Sequence, residues 1–195
     1  MKLDTAALSP FTISARLAHL PRIIAARHSA SPASTGHGSS RFSSPSRSFR
    51  TLYAAEDFGT ALAEAVIRDR FEGRQRRIIF RTTLETYAAT EIRSTRSLTL
   101  LDLTGDHAYR LGIDTDAVRG RAHQPGQSFA EALVAQAGHD GIVFSSRLTG
   151  RDCFALFETA LADLEGTPAV PLLRVAALPA ELQRLNIILR RRRGP

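Results

Sequence analysis

Residues 127–157, QSFAEALVAQAGHDGIVFSSRLTGRDCFALF, carry the pattern that decides the fold class. Gln127 to Ala137 reads as a helix. Gly138 stands where a helix stop is expected, since glycine enters the left-handed region that ends a helix at little cost. Gly141 to Phe144 and Cys153 to Phe157 are short apolar runs of strand length and read as two buried strands. Ser145 to Arg151 is the polar turn between them. A helix followed by two strands joined through a turn breaks the regular alternation of a doubly wound sheet.

The flanking sequence extends this mixture. Upstream, Ile23 to Ala26 reads as a short strand, followed by a serine-rich loop over Ser29 to Ser48 in which Gly36 and Gly38 are turn residues. A loop of that length inside a compact chain is more often functional than idle. Arg50 to Ala55 is a strand, and Asp57 is placed to cap a helix from Phe58 to about Glu72, with Phe58, Leu62, Ala65 and Val66 along one side. Arg77 to Tyr87 and Leu98 to Leu103 read as further strands. Downstream, Pro179 starts a third helix and Ile187 to Leu189 forms a last short strand. The expectation is one α+β domain over residues 1–195, closed by a basic tail at 190–195.

Composition bounds the function. With 195 residues, 43% hydrophobic and 23% charged, the chain is long enough for one domain with a sizeable core. That excludes a largely disordered, collagen-like or coiled-coil chain. No apolar run approaches the eighteen or so residues of a membrane span, so a soluble protein is expected. The first forty residues are poor in acids and resemble a transit peptide in composition, but the strand at Ile23 places them in the domain. The one cysteine, Cys153, allows no internal disulfide and no thiolate zinc site, which fits a reducing, cytoplasmic setting. Its apolar neighbours make it a packing residue rather than a nucleophile. The net charge is +7, and of the 26 basic residues only Lys2 is not arginine. Arginine grips carboxylates and phosphates with a planar fork, so an acidic or phosphate-bearing partner is indicated. A high-GC bacterial genome accounts for the same bias without a ligand.

Standard motifs are absent: there is no Gly-rich phosphate loop, dinucleotide fingerprint, His-Glu-x-x-His or Gly-x-Ser-x-Gly. The histidines at 19, 28, 37, 107, 123 and 139 show no metal-ligand spacing, and no metal is expected. What remains is a set of polar residues in apolar settings: Arg41 in Gly-Ser-Ser-Arg-Phe-Ser, Tyr53 in Thr-Leu-Tyr-Ala-Ala-Glu, Glu64 in Ala-Leu-Ala-Glu-Ala-Val and Ser146 at the end of Asp-Gly-Ile-Val-Phe-Ser-Ser. Each has an ordinary structural reading. Arg68 stands four residues after Glu64, the spacing of a helix-surface ion pair. Arg41 pins its loop to a carboxylate, Tyr53 is core with a bonded hydroxyl, and Ser145 and Ser146 are turn residues.

Together, in this order, they resemble the RES-domain family, named for its Arg, Glu and Ser. The family's Gly-Gly-Arg-Phe-Asn-like turn appears as Gly38-Ser-Ser-Arg41-Phe42-Ser43, and its Leu-Tyr-x-Ala-Glu strand as Leu52-Tyr53-Ala-Ala-Glu56. Its Ala-Leu-Ala-Glu helix appears as Ala61-Leu-Ala-Glu64, and its Asp-Gly-x-x-Tyr-Pro-Ser strand end as Asp140-Gly-Ile-Val-Phe-Ser-Ser146. Alignment to the strand end favours Ser146 as the family serine, with Ser145 the alternative. The similarity runs over residues 27–157.

The resemblance implies an ADP-ribosyltransferase-like fold, with a mixed, split β-sheet core and flanking helices. It implies NAD as substrate, without a metal, and a toxin of a bacterial type II toxin–antitoxin pair acting in the cytoplasm. Its partner would be a cognate antitoxin whose helix-turn-helix domain supplies any DNA contact and whose extra segment blocks the pocket. ADP-ribose would pass to a protein target, to water or to phosphate. Glu64 would stabilise the positive charge that develops as the nicotinamide–ribose bond breaks. Arg41 would grip the pyrophosphate, Tyr53 would stack on nicotinamide or bond the ribose, and Ser146 would donate to the nicotinamide amide or a phosphate oxygen. The alternative from another class is a basic, non-enzymatic nucleic-acid-binding module.

Overall fold

The computed structural model describes residues 2–68, 70, 71 and 73–191. In chain order the elements are α1 (Thr5–Leu8), β1 (Thr12–Ala15), β2 (Leu20–Ala25), β3 (Thr51–Ala55), α2 (Phe58–Leu62), β4 (Arg77–Phe80), α3 (Arg81–Leu84), β5 (Tyr87–Ser94) and β6 (Leu98–Asp102). There follow α4 (His107–Arg110), α5 (Thr115–Arg119), α6 (Gln124–Ala137), β7 (Gly141–Ser145), β8 (Asp152–Phe157), β9 (Leu164–Gly166), β10 (Val170–Pro171), α7 (Leu178–Arg184) and β11 (Ile187–Arg190). A five-stranded mixed sheet runs β1-β6-β7-β8-β3, with β6 and β7 parallel and the other neighbours antiparallel. A second sheet, β10-β5-β2 with β9 also on β5, is antiparallel, and β11 pairs β4 in parallel. This is the expected α+β architecture, mixed sheets with flanking helices.

Side chains alternate across the five-stranded sheet, as the pleat requires. Ile142 and Phe144 of β7, with Ala155 and Phe157 of β8, pack against Phe129 and Leu133 of α6. Val143 and Leu156 point the other way, into a layer shared with Ile92 of β5, Leu20 of β2 and Leu164 of β9. Both faces of the sheet are therefore buried, which is why its strands read as continuous apolar runs. The same parity puts Tyr53 and Ala55 of β3 on the face of Cys153 and Phe144, since Ala55 pairs with Cys153 and Phe144 pairs with Cys153. Gly138 ends α6 at φ 62°, as its position predicts.

Three elements depart from expectation. The helix beginning at Phe58 does not reach Glu72: α2 passes into a π-turn over Ala63–Ile67, where the Arg68 N–H bonds Ala63 O at 2.8 Å, five residues back. Asp69 and Glu72 lie outside the described residues. The strand expected over Arg77 to Tyr87 is two strands, β4 and the start of β5, separated by α3. Leu84 is fully buried in the cluster with Leu62, Ile79 and Leu182, and that burial outweighs the strand preference of Thr82 and Thr83. Arg190 of the expected basic tail is the last residue of β11, opposite Phe80, and residues 192–195 lie outside the described residues.

The start of β7 is anchored by an ion pair at its solvent end. Arg96 Nη1 and Nη2 donate to Asp140 Oδ2 and Oδ1 at 2.7 and 2.9 Å, and Thr99 N–H donates to Asp140 Oδ2 at 2.9 Å. Burial pushes the Asp140 carboxyl up, but these bonds and the Arg96 charge hold it below the ordinary carboxylate range. Asp140→Ala leaves the Thr99 N–H without its acceptor and should lower stability by about 2 kcal/mol, read by urea unfolding. The Asp140 contribution is complete above the unfolded carboxyl pKa of about 4 and fades as pH falls below it, so the gap between wild type and variant should narrow in acid.

Candidate active site

One cleft opens between β2, β3, the π-turn and the loop before Arg41. Its local construction begins at Asp57, which caps α2: Thr60 N–H donates to Oδ1 at 2.8 Å and the Thr60 hydroxyl to Oδ2 at 3.0 Å. The capped helix buries Gly59, Thr60, Ala61 and Leu62, and the π-turn that follows presents Glu64 to the cleft. Glu64 Oε1 accepts the Ser146 hydroxyl at 2.6 Å, and Oε2 lies 3.8 Å from Arg68 Nη1.

Ser146, not Ser145, is thus the serine that meets the glutamate. Its own oxygen accepts the N–H groups of Leu148 and Thr149 at 3.1 and 3.3 Å, which aims its single proton at Glu64. In this arrangement Ser146 orients the carboxylate, and the donor function towards NAD expected of it is already engaged. The ion pair between Glu64 and Arg68 is present but long, and each side chain is about a quarter exposed, 25% and 26%.

Tyr53 faces the same cleft from β3. Its hydroxyl oxygen accepts the Phe42 N–H at 2.8 Å, while the Thr51 hydroxyl donates to Phe42 O at 3.3 Å, so β3 holds both polar groups of that loop residue. Burial pushes the Tyr53 phenol up to about 12, and it is neutral at physiological pH. Arg41, one residue earlier, is buried at 5% exposure. Its guanidinium donates to the backbone oxygens of Asp116 and Gly120 around the end of α5, carbonyls rather than the carboxylate expected. These engage two of its five donors. Burial, then the charges of Arg68 and Arg147, lower its pKa, and Glu64 works in the opposite sense. A Cβ on Gly126 would come within 2.7 Å of Arg41 Cγ, so glycine is required for α6 to approach this loop.

The structure brings Arg41, Tyr53, Glu64 and Ser146 together and adds Arg22, which sequence reasoning passed over. Arg22 lines the cleft from β2. Its Nη2 donates to Ser34 O at 2.8 Å, while Nη1 is buried with no partner among the described residues. Burial lowers its pKa to about 10. The signal was a cation inside the apolar strand Leu-Pro-Arg-Ile-Ile. Among the described residues, the charged lining of the cleft is therefore Arg22, Arg41 and Arg68 against one carboxylate, Glu64. Cys153 sits at the cleft floor, where burial pushes its thiol up and leaves it a packing group.

Comparison with known proteins bears on the family and the fold. The model of the RES domain matches residues 19–180. The chain is 35% identical over 91 residues to the probable toxin y4kH of Sinorhizobium fredii, an alignment covering 46% of this chain and 72% of that protein. A chain in the crystal structure of the M. tuberculosis MbcT–MbcA toxin–antitoxin complex superposes with a TM-score of 0.66 at 19% identity, over 93% of this chain and 96% of that one. That likeness bears on the fold. The matched family stretch includes Arg22, Arg41, Tyr53, Glu64 and Ser146, and the chain belongs to the RES-domain family.

Proposed function

We propose that the chain is the toxin of a toxin–antitoxin pair and that it cleaves the nicotinamide–ribose bond of NAD. The observation that carries this reading is Glu64: a single carboxylate, oriented by Ser146, in a cleft whose other charged walls are arginines. As the bond from ribose C1′ to the nicotinamide nitrogen breaks, the electron pair leaves with neutral nicotinamide and positive charge builds on the ribose. A carboxylate fixed beside the ribose stabilises that charge where it develops. The acceptor oxygen then bonds C1′ and gives up its proton.

The remaining residues fit the rest of the molecule. Nη1 of Arg22, without a partner among the described residues, and the Arg41 donors beyond those that bond the Asp116 and Gly120 oxygens suit the pyrophosphate, which arginine forks bind in charge-assisted pairs. Tyr53, neutral and with its oxygen engaged by Phe42, offers the ring rather than the hydroxyl as the surface for nicotinamide or ribose. The name of the Sinorhizobium relative and the toxin–antitoxin complex that holds the structural neighbour support the toxin role and a cognate antitoxin as partner. The acceptor is water, phosphate or a protein side chain.

Purified protein incubated with NAD alone, with phosphate and with cell lysate should release nicotinamide. The companion product, ADP-ribose, its phosphate ester or a labelled protein band, names the acceptor. No release from folded, antitoxin-free protein in any of the three, with salt-sensitive DNA binding instead, would favour the basic nucleic-acid-binding module. Glu64→Gln should reduce nicotinamide release by about 100-fold or more while the protein still folds. Full activity in that variant would sink the assignment of Glu64. Arg22→Met should weaken NAD binding about tenfold with little change in thermal stability, because losing the Nη2 bond to Ser34 O is offset by removing a buried Nη1 that has no partner among the described residues. Unchanged affinity by calorimetry would make Arg22 a structural residue.

A further inference from the structure

The cleft carboxylate is tied to the Arg41 loop through a histidine. Arg68 Nη1 stands 3.8 Å from Glu64 Oε2, and Arg68 Nη2 is 3.0 Å from His123 Nε2. On the far side of the imidazole, Nδ1 is 2.7 Å from Ser39 O. Gln127, one turn along α6, donates from Nε2 to the backbone oxygens of Ser39 and Ser40 at 3.3 and 3.2 Å.

The tautomer follows from these partners. A guanidinium only donates and a carbonyl oxygen only accepts, so Nε2 must be bare and Nδ1 must carry the proton. Arg68 has two anionic or lone-pair partners within reach, Glu64 and His123, and its short contact is with the histidine. At 3.8 Å it contributes positive charge near Glu64 without closing a direct pair on Oε2.

We propose that His123 is a positioning residue: by accepting from Arg68 Nη2 it holds the guanidinium back from the Glu64 carboxylate, leaving Oε2 open to substrate. The inference rests on the reading of Glu64 as the catalytic carboxylate. Without the imidazole acceptor, Arg68 turns to Glu64 and forms the close ion pair natural to its four-residue spacing. The carboxylate is then neutralised in the ground state, and less of its charge is available to the ribose. The imidazole bond to Ser39 O is lost as well, but Gln127 still donates to the oxygens of Ser39 and Ser40 and keeps the Arg41 loop in place, so the proposed contacts of Arg22 and Arg41 with substrate persist and the loss falls on kcat rather than KM.

The test is steady-state nicotinamide release by wild type, His123→Leu, His123→Gln, Arg68→Met and the double variant Arg68→Met/His123→Leu. His123→Leu should lower kcat about tenfold with KM for NAD within about twofold, a coupling of the size seen between residues in direct contact. His123→Gln, whose amide oxygen replaces Nε2 as acceptor, should recover most of that loss. In the Arg68→Met background His123→Leu should have no further effect. A loss confined to KM, an equal loss with and without Arg68, or no recovery by glutamine would each overturn the proposal. Independently of activity, the imidazole ¹⁵N spectrum of wild type should show His123 protonated on Nδ1 alone. An Nε2–H tautomer overturns the proposal even in an active enzyme. A wild type with the expected tautomer that releases no nicotinamide refutes instead the catalytic reading on which the proposal stands.

Discussion

The hydrogen bond from Ser146 to Glu64, at 2.6 Å, is where two distant parts of the chain meet to make the site. A carboxylate drawn three-quarters out of water needs donors, and a flexible glutamate needs a direction. Ser146 supplies both because its own oxygen is fixed by the Leu148 and Thr149 N–H groups of the turn after β7. Glu64 reaches it from the π-turn that follows α2, a feature that recurs at functional sites. The five-stranded sheet is the platform for this contact, since the turn after β7 carries the serine and β3 is followed by α2 and the π-turn that carries the glutamate.

The second constraint is the long loop between β2 and β3, which would close off or abandon the cleft if it moved. It is fastened at several points. Tyr53 and Thr51 hold Phe42, Phe42 stacks edge-on against Phe144 at 5.0 Å, and Glu131 of α6 accepts from the Ser44 and Ser46 hydroxyls and the Ser46 N–H. Hydrogen bonds from Ser44 and Ser46 hold the Glu131 carboxyl below its ordinary value, consistent with a charged anchor over the whole neutral range. Two hydroxyls of the serine-rich stretch, those of Ser44 and Ser46, thus converge on one carboxylate and supply part of the bonding that a backbone ladder would otherwise give.

Much of this was legible where a local pattern dictates local structure. The helix of α6 with its glycine stop, the paired apolar strands β7 and β8, and the cap at Asp57 follow from residues within a turn or two of each other. Arg41, Tyr53, Glu64 and Ser146 each had an ordinary structural reading alone and became legible as a set only through their order and its resemblance to the RES-domain family. The π-turn was not, because Ala-Leu-Ala-Glu-Ala-Val is an ordinary helical sequence and only the packing of Val66 and Ile67 against Ile79 and Leu182 decides where it widens. The break at Arg81 was lost for the same reason, a buried Leu84 prevailing over a β-branched pair. The tautomer of His123 had no sequence signal at all, since it depends on Arg68 and Ser39, 55 and 84 positions away.

Arginine content illustrates the boundary between composition and site. A genome biased towards arginine yields many such residues, and most of those described here are exposed or paired with acids, as Arg50 is with Glu158 and Arg93 with Glu165. Arg22 is different. Its Nη1 is buried with no partner among the described residues, and burial lowers its pKa. The proposed contact with the NAD pyrophosphate would give Nη1 an acceptor and offset its burial.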